Sequence, residues 1–228
     1  MNYYISSPDL DARIKEIRRK IRLSMNGIVS EQMIQGGIIY KKNFGVSIPR
    51  IKEIASTYTP DHNLAQRLWD LKIRETMIMA TLLEPIDKFS MESATKWVAD
   101  LNQIEIAEQT TMNLLCKLPY ADKISSDWVQ SDQIWLKITG FMLGARIVNL
   151  LHQDEINIII EKGILLSTTD NFHLYKAIAL CFARFCRKNK EVASRILKEN
   201  EVFSNSSLVS QQFILKEVKQ EILFLDLL

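Results

Sequence analysis

The sequence predicts an all-α protein of stacked helical hairpins. Apolar residues recur at three- and four-residue spacing along almost the whole chain. Only seven Gly and five Pro punctuate 228 residues, too few for a turn-rich β protein. The helical patterns also come in pairs: a shorter helix, a tight break, then a longer helix. The clearest β-like run, "INIII" at 156–160, lies inside a longer helical period.

The first element starts behind Ser7 and Pro8, a capping residue followed by a proline whose fixed φ suits a first helical turn. Leu10, Ile14, Ile17 and Ile21 then form an apolar stripe. Ser47 and Pro49 mark another start, with Ile48, Ile51, Ile54 and Ala55 on one face. Five pairs follow: 61–71 with 73–84, 90–101 with 104–118, 121–130 with 132–151, 153–167 with 172–188, and 190–199 with 207–226. A unit of about 30–40 residues is the spacing of HEAT-like and other α-solenoids. No Pro/Gly/Ser-rich linker divides the chain, so residues 1–228 are expected to form a single HEAT-like repeat domain, one curved superhelix. In such a stack each pair buries its apolar face against its neighbours. The inner helices line a concave surface whose side chains are free to specialise.

The segment "SSDWVQSDQIWLKITG" at 125–140 puts Trp128 and Trp135 on either side of one joint. Both are expected to wedge that hairpin together. Gly140 and Gly144 follow on the second helix, a spacing that permits close helix crossing. Lys137 and Arg146 flank it, which argues against a membrane role.

Composition excludes several classes. Apolar residues make up 47% of the chain, enough for a sizeable core. The net charge of +2 does not by itself announce a nucleic-acid binder. Cys116, Cys181 and Cys186 are an odd set without metal-type spacing, which fits reduced thiols and a cytoplasmic location. Cys181 and Cys186 read as small core residues. No secretory leader or membrane span is expected. There is no phosphate-cradling Gly-rich loop and no Gly-x-Ser-x-Gly elbow. His62, His152 and His173 lie far apart, so no metal and no cofactor is called for.

Basic residues fall in runs. "RIKEIRRKIR" occupies 13–22, Lys41 and Lys42 follow, then Arg50 and Lys52, and "ARFCRKNK" supplies Arg184, Arg187, Lys188 and Lys190. Any one run reads as a solvated helix face. Together, at both ends of a curved stack, they read as a track for backbone phosphates, which Lys and Arg neutralise without sequence preference.

The stretch "YKKNFGVSIPRIKEIASTY" followed by "LAQRLWDLKIRETMIMATLLEP" resembles the N-terminal half of the bacterial AlkD family of DNA alkylation repair proteins. Gly45, Val46, Pro49, Leu64, Leu68, Trp69, Glu75 and Ala80 carry the match. Trp128, Ser131, Asp132, Trp135 and Leu136 fit a second family segment, and Lys176, Ala177 and Ile178 a third. The resemblance covers roughly residues 20–200. It implies a HEAT-like repeat α-solenoid that holds DNA. Active members are glycosylases that release positively charged alkylated purines. Aromatic residues brace the backbone of the damaged nucleotide, and an aspartate stabilises the sugar cation as the glycosidic bond breaks.

Carried over residue by residue, the catalytic motif is degraded. The family's Trp-x-x-x-Asp falls on Ile104 and Glu108. Its arginine, two residues after the Trp-Leu pair, falls on Ile138, with Lys137 about 100° away round the helix. Its second tryptophan falls on Leu180, and a further arginine on Ala183, or on Arg184 if the alignment slips by one. Isoleucine offers no π-face to a cation, and Ile138 cannot clamp a phosphate. Glu108 keeps a negative charge with its oxygens displaced by roughly an ångström, a scale that matters for positioning.

The expectation is therefore a DNA-binding member of that family with weak, altered or absent excision. Its partner would be duplex DNA, plain or alkylated, and the protein a monomer without a membrane role. Glu108 is the candidate catalytic residue. Lys41, Lys42, Arg50, Lys137, Arg146, Arg184, Arg187 and Lys188 are the candidate DNA contacts. The alternative is an α-solenoid interaction scaffold that binds a protein along the same surface and no DNA. Full glycosylase activity through a rearranged site is a third reading.

Overall fold

The computed structural model describes residues 7–226, and all regular structure among them is helical. The chain divides into two compact units, Met1–Ser90 and Met91–Leu228.

The first unit holds α1 (Pro8–Leu23), α2 (Gly27–Gln35), α3 (Ile48–Ala55), α4 (His62–Asp70) and α5 (Arg74–Leu83). Ser7 caps α1, which buries the expected Leu10, Ile14, Ile17 and Ile21 and packs on α3 and α4. Helix α2 was not anticipated: it is short, carries no apolar stripe and buries no residue. Asn26 starts it by accepting from the Val29 amide at 3.2 Å.

A buried carboxylate organises this unit. Glu75, in the first turn of α5, has a fully buried side chain. Its Oε1 accepts from the amides of Phe44 and Val46 at 3.0 and 3.3 Å. The Arg74 guanidinium lies 3.1 Å from the same oxygen and donates to the Val46 carbonyl at 2.8 Å. Between the two amides sits Gly45 at φ +67°, where a Cβ would stand 2.1 Å from the Asn26 carbonyl oxygen. The Gly45–Val46 and Glu75 matches are thus one clamp that fixes the backbone before α3. At the other end of α4, His62 Nδ1 stands 2.6 Å from Glu84 Oε1, and Gln66 donates to Oε2 at 3.2 Å. Replacing Glu75 by Ala removes the acceptor of two amides and the carboxylate beside the Arg74 guanidinium. The expected loss is about 3–5 kcal/mol, read as a lower urea midpoint. An unchanged midpoint would contradict the clamp.

The second unit holds α6 (Met91–Ala99), α7 (Ile104–Asn113), α8 (Ala121–Trp128), α9 (Ile134–Arg146), α10 (Gln153–Leu165), α11 (Phe172–Phe185), α12 (Lys190–Asn200) and α13 (Val209–Phe224). The paired pattern read from the sequence is present. Helices α7 and α10 stop earlier than their apolar period suggests, because the chain tightens into 3₁₀ turns at Leu115–Lys117 and Leu166–Thr168. Helix α11 packs against α9 and α13, α8 against α9, and α12 against α13.

Helix α9 is squeezed on two sides. A Cβ on Gly140 would stand 2.9 Å from the Val129 amide nitrogen and 3.1 Å from the Ser125 carbonyl oxygen. Ser125 Oγ donates to the Gly140 carbonyl at 2.9 Å. A Cβ on Gly144 would stand 3.0 Å from Ser125 Oγ and 3.5 Å from Cys181 Sγ of α11. The two tryptophans serve different contacts, which corrects the expectation that both wedge one hairpin. Trp128 is buried at the end of α8. Trp135 is half-buried and places its ring 6.2 Å from that of His173 on α11. Cys181 and Cys186 are core residues, and burial pushes both thiols up, Cys186 to about 12. Gly140→Ala must push backbone aside and is expected to cost about 1–3 kcal/mol, measured as a fall in Tm. A neutral substitution would show that the crossing is loose.

Candidate nucleic-acid interface

Phe172, Lys176, Leu180 and Arg184 recur every four residues along α11, Arg187 follows just past its end, and all are exposed. The opposite stripe, with Leu174, Ile178, Cys181 and Phe185, is buried. The exposed stripe borders three adjoining clefts, all inside the second unit. One, of about 280 Å³, is lined by Glu108 and Met112 of α7, Met142 and Arg146 of α9, and Leu180 and Arg184 of α11. A second, of about 210 Å³, shares Glu108, Met142 and Leu180 and adds Ile104, Phe172, His173 and Lys176. A third, of about 320 Å³, runs from Lys176 and Arg184 to Arg187, Phe213, Glu217 and Glu221.

Three of the motif positions meet here. Ile104, Glu108 and Leu180 line the second cleft together. Burial raises the Glu108 pKa above the usual carboxylate value, and the charge of Glu105, one turn back, adds to the effect. A carboxylate beside an apolar floor can stabilise a cation in front of it. Ile138 does not join them. It is 1% exposed, in the core. The α9 side chain that borders both clefts is Met142, one turn further on. The place assigned to the family's arginine is therefore a packing position here, and the cleft has a thioether where a cation was sought. Ala183 lines the third cleft, while its neighbour Arg184 reaches the first and third.

Within the second unit the candidate DNA contacts have different surroundings. Arg146 and Arg184 share the first cleft. Arg187 lines the third, ion-paired with Glu221. Lys188 is turned away: its Nζ donates to the carbonyls of Val148 and Leu151 at 3.0 and 2.8 Å, just beyond the C-terminus of α9. There it complements the negative end of that helix. Lys137 is half-buried and borders none of these clefts. In the first unit Lys41 and Lys42 are exposed, with Lys42 Nζ 5.1 Å from the Phe44 ring centroid. Arg50 pairs with Glu53 at 2.7 Å and donates to Ser24 Oγ at 3.1 Å. Part of the 13–22 run is also committed, Arg13 to Asp61 and Lys20 to Glu16.

Phe172, His173, Lys176 and Met142 were missed as cleft residues. The available signal was the stripe Phe172–Lys176–Leu180–Arg184, in which an aromatic and a leucine share the polar face of an amphipathic helix with two cations. Among the described residues no cluster of three or more His, Cys, Asp or Glu could hold a metal ion. No helix among them is long and apolar enough to cross a membrane.

The Glu108 carboxyl is expected to titrate above an ordinary glutamate. Glu105→Gln should lower its pKa by removing the neighbouring negative charge, as read by ¹³C NMR of the side-chain carboxyls. A Glu108 titration indifferent to that change would separate the two residues.

Comparison with known proteins bears on the whole chain. Residues 8–208 match the family described as DNA alkylation repair enzyme. No curated protein matches the sequence. Among solved structures, one from a new family of proteins related to the HEAT-like repeat DNA glycosylases, with affinity for branched DNA structures, is similar with a TM-score of 0.76. It shares 14% sequence identity, over 90% of this chain and 94% of that one. At that identity the likeness shows the fold, the HEAT-like helical architecture read from the hairpin pattern. The family match spans most of the chain, and the protein belongs to the DNA alkylation repair enzyme family.

Proposed function

We propose that this protein binds DNA along the α11 clefts of its second unit, with weak, altered or absent base excision. One observation carries the reading: Arg146 and Arg184 rim a cleft next to Lys176, while Ile104, Met142 and Leu180 surround Glu108. The cations suit backbone phosphates. The apolar trio supplies neither the π-faces nor the phosphate clamp that would hold a damaged nucleotide against the carboxylate. Glu108 could still stabilise charge on a sugar, but nothing beside it fixes the distance. The affinity of the similar solved protein's family for branched DNA supports DNA as the ligand. Duplex DNA, plain or alkylated, is the partner on this reading, bound by a monomer in the cytoplasm. The ion pair of Arg187 with Glu221, and Glu217 beside it, give the third cleft mixed charge, which favours the protein-scaffold alternative at that end.

A gel-shift salt series separates the two readings. Arg146→Gln with Arg184→Gln should weaken duplex binding and flatten the salt slope by about two units. Lys188→Gln should leave the slope unchanged. No retardation of plain or alkylated duplex at about 50 mM salt favours the scaffold. Release of 7-methylguanine from alkylated DNA tests excision: wild type and Glu108→Gln are expected to be equally slow. A clear difference between them would restore Glu108 to a catalytic role.

A further inference from the structure

The first turn of α11 has a feature that phosphate binding alone does not explain. Phe172 opens the helix with 52% of its surface exposed. Its ring is nonetheless held. It meets the His173 ring edge-on at 5.6 Å and the Tyr175 ring edge-on at 5.6 Å. Tyr175 is only 9% exposed and packs 5.5 Å from the Phe213 ring of α13. One turn along, Lys176 Nζ stands 4.6 Å from the Phe172 centroid. Phe172 thus presents apolar surface in a fixed pose, at the mouth of the cleft that holds Ile104, Glu108, Met142 and Leu180.

Resting on the DNA reading above, we infer that Phe172, with His173 and Lys176, is a stacking site for an unpaired nucleobase. The preferred substrate class is DNA with a nucleotide already out of the helix. A base inside a duplex has both faces covered by its neighbours. An unpaired base exposes a π-face, and aromatic side chains stack on it whatever its identity. Lys176, whose Nζ sits over one face of the Phe172 ring, supplies a cation beside the stack for a nearby phosphate and leaves the base the other face. The cleft wall of Met142 and Leu180 is apolar, and Glu108 can accept a hydrogen bond from an exocyclic amino group. The aromatic surface absent at positions 104 and 180 is thereby present on the lining of the cleft that holds the carboxylate, offered to a base rather than to a sugar.

Fluorescence anisotropy with a short labelled duplex, and with the same duplex carrying one bulged 2-aminopurine, tests the inference. The wild type is expected to bind the bulged DNA roughly tenfold more tightly than the intact one, and to quench the 2-aminopurine. Phe172→Ala should lower the affinity for the bulged DNA, bring it level with the intact duplex and abolish the quench. Phe172→Trp should keep all three properties, so a general loss of fold is distinguishable from loss of stacking. Equal wild-type affinity for the two DNAs, or a preference that survives Phe172→Ala, overturns the stacking site while the DNA reading stands. Binding to neither DNA overturns the DNA reading and the stacking site with it.

Discussion

The close approach of α9 to both α8 and α11 is the constraint on which the second unit depends. Two glycines make it possible. At Gly140 the backbone of α8 comes so near that any side chain would collide with an amide and a carbonyl. At Gly144, one turn later, Ser125 and Cys181 close in from either side. With α9 held this way, Ile138 turns into the core and Met142 turns to the clefts. The exposed stripe of α11 is then fixed beside Glu108 of α7. Van der Waals contact across a backbone seam thus decides which side chains reach the cleft.

The consequence is a site of mixed character. Its lining carries the cations Arg146, Arg184 and Lys176, the apolar side chains Ile104, Met142 and Leu180, and the carboxylate of Glu108. A polyanion gains beside the cations and is repelled near the carboxylate. That arrangement suits a ligand that lays phosphates along α11 and turns something uncharged inward. The acidic residues of α13 limit the track at its far end, because Glu221 already occupies Arg187. The first unit contributes a different kind of order. Its buried Arg74–Glu75 pair braces the segment around Gly45, so family-matching residues there serve the fold.

Much of the fold was legible because helix periodicity is a local signal. The α1 stripe, the five pairs and the proline-marked start of α3 follow from spacing and capping residues alone. Helix α2 was not legible, since it buries nothing and so leaves no stripe. The early helix ends were also hidden, because a 3₁₀ turn keeps nearly the same apolar spacing as the helix it follows. In the site, Ile104, Glu108 and Leu180 came from aligning short motifs, and they converge in space. Ile138 failed because a motif counts residues while burial depends on what packs over each turn of the helix. A shift of four residues, to Met142, keeps the same helix face but not the same depth. Basic runs were the least informative signal. Where a lysine points depends on nearby carbonyls and carboxylates from distant elements, as with Lys188 and Arg187.

The most direct measurement is photo-crosslinking of the protein to DNA carrying 4-thiothymidine, followed by mass spectrometry of the linked peptides. The account predicts adducts between Phe172 and Arg187, on α11 and just past its end, with a second set near Met142–Arg146 of α9. Adducts confined to other helices, with α11 left unmodified at saturating DNA, would contradict it.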